Sequence, residues 1–70
     1  MKNLQLKKLR LENNKTQKDI AQILNLEVST YTKKENGQIP FSIKEVSTLR
    51  EVFKLNDSEV VSIFLNKNVS

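Results

Sequence analysis

The sequence predicts a compact all-α domain of five short helices, and three observations support this prediction. Apolar residues recur three and four positions apart along most of the chain, which is the spacing of one face of a helix. Glycine and proline occur once each, as Gly37 and Pro40, so strong helix-breaking residues fall in a single loop. A Ser or Thr followed three positions later by an acidic residue, which is a helix-start signal, precedes two of the predicted helices.

Composition narrows the class of protein. Seventy residues make one domain at most, here 1–70 with its core at about 4–65, and the ends 1–3 and 67–70 are expected to fray. The chain contains neither cysteine nor histidine, so a Cys/His metal site and histidine-based acid–base catalysis are excluded, and no cofactor is expected. No apolar run approaches the roughly 20 residues of a membrane span, and no signal peptide is evident, so we expect a cytoplasmic protein.

Charge is distributed unevenly along the chain. Residues 1–34 carry eight Lys/Arg and three Asp/Glu, a net charge of +5, whereas residues 35–70 carry four and five, a net charge of −1. Such asymmetry favours a polyanionic partner for the first half. A lysine-rich surface that only confers solubility would produce the same count.

The first two helices have recognisable ends. Helix 1 is predicted over 4–13, with Leu6 and Leu9 facing the core and Leu4 and Leu11 extending that apolar face. An Asn-Asn pair at 13–14 ends it, because asparagine tolerates left-handed backbone geometry. Helix 2 is predicted over 17–24; Thr16 and the acidic residue at position 19 form a capping box, and the inward residues are Ile20, Ala21 and Leu24.

A tight corner at 25–27 leads into helix 3, predicted over 28–36 and stopped by Gly37. Asn25 is the residue expected to take a positive φ angle. At about 100° per residue, Tyr31 points inward while one face is displayed outward. That outward face consists of Val28, Ser29, Thr32 and Lys33.

The last two helices complete the predicted core. Helix 4 starts with a capping box at Ser42 and Glu45, and its expected apolar side comprises Ile43, Val46, Leu49, Val52 and Phe53. Helix 5 starts at Asn56 or Asp57 after a short connection, and Val60, Ile63 and Phe64 are expected to face inward.

Taken together, these elements resemble the phage lambda-type repressor and Cro family of helix-turn-helix domains. The similarity covers roughly residues 4 to 65, and its specificity comes from the order and spacing of several short motifs. The matching elements are Leu6-x-x-Leu9-Arg10, Thr16-Gln17, Ile20-Ala21-x-x-Leu24, Leu26, Ser29-Thr30, Glu35-x-Gly37, Pro40 and Phe53-Lys54-Leu55-Asn56.

The resemblance implies a set of contacts with double-stranded DNA. Helix 3 would enter the major groove, with Val28, Ser29, Thr32 and Lys33 reaching base edges. Gln17, at the N-terminus of helix 2, matches a residue that binds a phosphate. Lys15, Asn36 and Gln38 are further phosphate candidates. The alternatives are a solvated helix face, a helix-opening Gln17 and ordinary surface residues. Glu27, at the start of helix 3, is expected to repel the DNA backbone.

Two other groups of residues match the family pattern. Arg10 and Glu35 match an ion pair that would orient helix 3; the alternative is two independent surface charges. The family pairs through the loop before helix 4 and the region near helix 5, which would place two recognition helices one DNA turn apart on a near-palindromic operator. The apolar residues available there are Ile39, Phe41, Val61 and Leu65, although these residues could instead belong to the core or contact a different protein.

The most consistent interpretation is a Cro- or repressor-like transcriptional regulator that binds an operator as a homodimer and blocks a promoter. An antitoxin-type regulator, or a module of this fold that binds a second regulatory protein as an antirepressor or modulator, is the alternative. Catalysis is not expected, because neither a phosphate-binding glycine loop nor a nucleophile motif is present. The acidic residues that could be considered lie scattered at helix ends, where capping explains them: Asp19, Glu27, Glu35, Asp57 and Glu59.

Overall fold

The computed structural model describes residues 4–65, which form α-helices joined by short loops, with no strand in that range. The prediction of an all-α fold with five helices is confirmed. Helices 1 and 3 end one residue earlier than predicted, helix 2 has the predicted bounds, and the frayed ends expected at 1–3 and 67–70 lie outside the described residues. The helices are α1 Leu4–Glu12, α2 Gln17–Leu24, α3 Val28–Glu35, α4 Ile43–Phe53 and α5 Asp57–Val60, and α5 continues as a π-helical turn, Val61–Leu65.

The described chain divides into two units, residues 4–40 and residues 41–65. In the first unit, α3 packs against both α1 and α2. Its fully buried apolar side chains are Leu6, Ile20, Ala21 and Tyr31. Because Tyr31 is among them, the predicted inward anchor of α3 is confirmed. The prediction of a single domain over 1–70 stays a prediction.

The second unit contains α4, α5 and the π-helical turn. Leu49, Phe53 and Leu55 are buried there. The rings of Phe41 and Phe64 meet edge to face, with centroids 5.5 Å apart and planes at 85°. This is a favoured arrangement for aromatic pairs. It ties the segment before α4 to the π-helical turn.

Local signals set the helix starts and stops. The capping boxes at Thr16 and Ser42 are present as predicted, and Asn56 forms a third with Glu59. The helices α1 to α4 each end in a left-handed residue followed by the hydrogen bonds of a Schellman motif. In the order α1 to α4, the left-handed residues are Asn14, Asn25, Gly37 and Lys54, with φ angles of 57°, 61°, 84° and 55°.

Three predictions of buried apolar positions are wrong. Leu4 and Leu11 are 66% and 54% exposed, so the buried face of α1 is narrower than its leucine pattern suggests. The residues of α1 that enter the interior are Leu6 and Arg10, and Arg10 is only 6% exposed. Ile43 is 90% exposed, because it is the first residue of α4 and precedes the turn that carries the buried face.

Candidate nucleic-acid interface

The segment expected to approach DNA starts with the capped N-terminus of α2. Thr16 Oγ1 accepts a hydrogen bond from the Asp19 backbone N–H at 3.0 Å, and Asp19 Oδ2 accepts one from the Thr16 backbone N–H at 2.8 Å. The bond donated by the Thr16 backbone N–H lowers the pKa of the Asp19 carboxyl below its ordinary value. The first turn of α2 is therefore fixed at the position where Gln17 begins the helix.

The corner between α2 and α3 is closed by backbone hydrogen bonds. Asn25 adopts left-handed geometry, and the N–H of Leu26 donates to the carbonyl of Ala21 at 2.8 Å. Glu27 then serves as the N-cap residue of α3 without a side-chain capping bond, and its side chain is exposed. Its carboxylate is thus presented to solvent at the start of the predicted recognition helix.

Glu35, the last residue of α3, is the centre of a buried polar network. Its Oε2 accepts from Arg10 Nε and from the Tyr31 hydroxyl, both at 2.8 Å. Its Oε1 accepts from Arg10 Nη2 at 3.2 Å and from Gln17 Nε2 at 3.0 Å. Four donors from α1, α2 and α3 therefore converge on one carboxylate, and the ion pair between Arg10 and Glu35 is present.

The network controls the ionisation of its members. Burial alone would raise the pKa of Glu35, but the hydrogen bonds from Arg10, Gln17 and Tyr31 outweigh it and hold that pKa below the ordinary value. The bond to Glu35 raises the pKa of Arg10. Burial, with the neighbouring carboxylate, raises the pKa of Tyr31. Glu35 is therefore ionised, and Arg10 and Tyr31 keep their protons, at neutral pH.

The network reaches the predicted DNA-facing residues through Gln17. While Gln17 Nε2 donates to Glu35, Gln17 Oε1 accepts from the Thr32 hydroxyl at 3.0 Å. Both side chains are half-buried. The structure thus joins a predicted phosphate contact on α2 to a predicted base contact on α3.

The other predicted base contacts are open to solvent. Val28 is 41% exposed, and Ser29 and Lys33 are exposed. The predicted outward face of α3 is consequently displayed, with Thr32 at its less accessible edge. Whether these side chains contact bases stays a prediction.

The remaining predicted phosphate contacts lie at both ends of the two-helix segment. Lys15 precedes α2 and is exposed, and its backbone carbonyl accepts from Arg10 Nη1 at 2.9 Å. Asn36 is the half-buried C-cap residue of α3, and Gln38 is exposed in the following loop. The hydrogen bond from Arg10 fixes the loop that carries Lys15.

The predicted dimer or partner residues differ in accessibility. Val61 and Leu65 are 51% and 60% exposed on the π-helical turn. Phe41 is half-buried and packs against Phe64. Ile39 is half-buried in the first unit.

Three hydrogen bonds of this network were not predicted from the sequence. The Tyr31 partner could have been found, since positions 31 and 35 are four apart and lie on one helix face. The contacts of Gln17 with Glu35 and with Thr32 join residues 18 and 15 positions apart. Neither contact leaves a periodic signal in the sequence.

Residues 4–65 contain neither a membrane-spanning helix nor a cluster of metal-binding side chains. None of the helices in that range has the length and hydropathy needed to cross a membrane. The same range contains no group of three or more acidic side chains placed to hold a metal ion.

Comparison with known proteins identifies the family. Neither the curated proteins nor the solved structures gave a significant match to this chain. A family model described as helix-turn-helix, HTH_3, matches residues 6–60, well over half of the 70 residues. That range includes α2 to α5, all but the first two residues of α1, and the whole Glu35 network. The chain belongs to the XRE/lambda-repressor-type helix-turn-helix family of DNA-binding regulators, whose members are generally not enzymes.

Proposed function

We propose that this chain is a sequence-specific operator-binding protein that reads DNA by inserting α3 into the major groove. The observation that carries the proposal is the exposure of Val28, Ser29 and Lys33 on α3 beside a Gln17 side chain that is held by a buried network. A reading helix has to be held rigidly if its side chains are to discriminate bases. The hydrogen bonds of Glu35 to α1 and α2 provide that rigidity.

Each proposed contact follows from side-chain chemistry. Val28 offers only apolar contact, for which a thymine methyl is the natural target, and Ser29 offers a hydroxyl. Lys33 donates to guanine acceptors or to a phosphate. Gln17 grips a phosphate with the Nε2 hydrogen that does not point at Glu35, and Lys15, Asn36 and Gln38 add contacts to the backbone.

The charge distribution supports DNA as the partner. Residues 1–34, which contain α1, α2 and nearly all of α3, carry the net charge of +5. Phosphate neutralisation releases counterions, so binding should weaken steeply as salt increases. Glu27 opposes this attraction locally.

The proposed assembly is a homodimer that occludes a promoter. Val61 and Leu65 offer exposed apolar surface on the second unit. Apolar patches of this kind commonly form protein interfaces. A two-fold pair would separate its recognition helices by about 34–36 Å and would require a near-palindromic site.

Selection from a random-sequence DNA library at two salt concentrations tests the proposal. We expect an enriched inverted repeat, and an affinity for it that falls steeply with salt. Lys33→Ala, carried through the same selection, should alter the enriched sequence. Weak binding without enrichment would overturn the proposal.

The exposed Val61 and Leu65 side chains also support a second candidate function, in which this chain binds another protein. It would then act as a module that binds a second regulatory protein, or as an antitoxin-type regulator. In that case Val61→Ser would abolish heterologous binding while the chain stayed monomeric. Analytical ultracentrifugation of the wild-type chain separates the two candidates, since only the operator-binding dimer requires self-association.

A further inference from the structure

The buried network determines which way each of its hydrogen bonds runs. An ionised carboxylate carries no proton, so Glu35 accepts every hydrogen bond it makes. Arg10, whose guanidinium has donors only, holds it in that state with contacts at 2.8 and 3.2 Å. The ion pair has little access to water, since the side chains of Arg10 and Glu35 are 7% and 2% exposed.

The carboxylate in turn fixes the orientation of the Gln17 amide. The two ends of a glutamine amide look alike in shape and are assigned from their partners. The end that lies 3.0 Å from Glu35 Oε1 has to be the Nε2 donor, because the carboxylate accepts only. The opposite end is therefore the carbonyl oxygen Oε1, which also accepts only.

The amide then fixes the hydroxyl of Thr32. Thr32 Oγ1 lies 3.0 Å from Gln17 Oε1, and two oxygens at that distance need one proton between them. Only the Thr32 hydroxyl can supply that proton. A hydroxyl has one hydrogen, so Thr32 retains nothing but lone pairs for any further partner.

We propose that Thr32 is a specificity-determining residue that acts only as a hydrogen-bond acceptor and reads an exocyclic amino group, adenine N6 or cytosine N4. This inference rests on the proposed function, because it needs α3 in the major groove. A threonine hydroxyl is ordinarily able to pair with base donors or acceptors. In this chain Gln17, Glu35 and Arg10 are positioning residues that remove the donor option, so guanine O6 and N7 and thymine O4 are poor partners for Thr32.

The experiment uses duplexes of the selected operator in which single atoms of the bases are removed. Purine replaces adenine and pyrimidin-2-one replaces cytosine, and each removes an amino group. As counterparts, 2-aminopurine and 7-deazaguanine replace guanine and remove its O6 and N7 acceptors. Dissociation constants are measured for the wild-type chain, for Thr32→Val, which keeps the shape but has no lone pairs, and for Thr32→Ser, which keeps the hydroxyl.

We expect one base pair in each half-site at which removal of the amino group weakens wild-type binding roughly 3- to 10-fold, the effect of one hydrogen bond. Thr32→Val should bind the natural operator weaker by a similar factor and be insensitive to that analogue. Thr32→Ser should behave as wild type. Circular dichroism melts of each variant verify that it is folded.

Two results would overturn the inference while leaving the proposed function intact. One is that Thr32→Val abolishes the sensitivity of binding to an analogue that lacks an acceptor. The other is that the wild-type chain binds a specific site, but Thr32→Val leaves the sensitivity to every analogue unchanged. Failure to select any operator would remove the proposed function and this inference together.

Gln17→Met provides a second test because it removes the carbonyl that captures the Thr32 proton. Affinity for all sites should fall, since a phosphate contact is lost as well. The freed hydroxyl should then also pair with acceptors, so sensitivity to loss of the amino group should drop at least 2-fold relative to wild type. Unchanged sensitivity would show that Gln17 does not set the polarity of Thr32.

Discussion

The Gln17 side-chain amide donates to Glu35 Oε1 over 3.0 Å, which joins the first residue of α2 to the last residue of α3. The acceptor is a buried carboxylate that also pairs with Arg10 on α1. One side chain expected to hold DNA is thus tied directly to the ion pair that links the helices. Stability of the first unit and geometry of the proposed interface should respond to the same substitutions.

Replacing Arg10 by methionine should destabilise the fold strongly. The substitution would leave the Glu35 carboxylate buried without its guanidinium, and loss of one partner of a buried pair costs about 3–5 kcal/mol. Urea unfolding followed by circular dichroism measures this loss. Arg50→Met is the matched control: its ion pair with Asp57 is 47% and 86% exposed, so about 0–1 kcal/mol is expected. Equal losses in the two variants would contradict a special role for the buried pair.

The pKa of Glu35 makes stability depend on pH in a defined direction. Because the folded-state pKa lies below the ordinary 4.5, the stabilisation is fully present above pH 4.5 and is lost as the pH falls through the folded-state value. A carbon-13 NMR titration should show the depressed pKa directly. In Arg10→Met that pKa should rise, since burial then lacks its main compensation. The pKa of Asp19, lowered by its bonds to Thr16, should stay unchanged as an internal control.

Lys33→Ala and Gln17→Ala should affect DNA binding differently. Lys33 is placed to read bases, so its loss should change both the preferred sequence and the affinity. Gln17 is placed to hold a phosphate, so its loss should weaken all sites, with a change of preference confined to the base pair that Thr32 reads. Selected sequences and dissociation constants for both variants provide the comparison. An unchanged preferred site in Lys33→Ala would remove its base-reading role.

Glu27→Gln should tighten DNA binding at low salt. Its exposed carboxylate makes no capping bond at the start of α3 and is expected to lie near a phosphate. Glu51→Gln, in the exposed part of α4, changes the net charge equally and serves as the control. Dissociation constants at low salt should fall more for Glu27→Gln than for Glu51→Gln. If the two variants respond alike, Glu27 is not a local repulsive element.

Val61→Ser should weaken self-association. Val61 is 51% exposed on the π-helical turn and belongs to the proposed dimer surface. Leu11→Ser is a suitable control, because Leu11 is 54% exposed on α1, outside that surface. Sedimentation velocity should show a shift toward monomer for Val61→Ser only. If Val61→Ser forms dimers as tightly as the wild-type chain does, the dimer interface lies elsewhere.

The features that rest on local interactions follow from the order of amino acids alone. Capping boxes at Thr16 and Ser42, the left-handed Asn25 and the inward Tyr31 were all predictable, because each depends on residues within one or two turns. These interactions set where most helices begin and end. Lys54 escaped prediction, since lysine has no intrinsic preference for left-handed geometry and adopts it here at the end of α4.

Which helix faces are buried and which polar groups meet depends instead on how the helices pack against one another. The leucine pattern of α1 suggested that Leu4 and Leu11 are covered, but burial depends on where α3 crosses α1, and the crossing covers Leu6 and Arg10 instead. The packing of α3 against α2 brings Gln17 to Thr32 and Glu35, which lie 15 and 18 positions further along the chain. The spacing of apolar residues along the sequence predicts which way a side chain points from the axis of its own helix. It carries no information about the partner that the side chain finds on another helix.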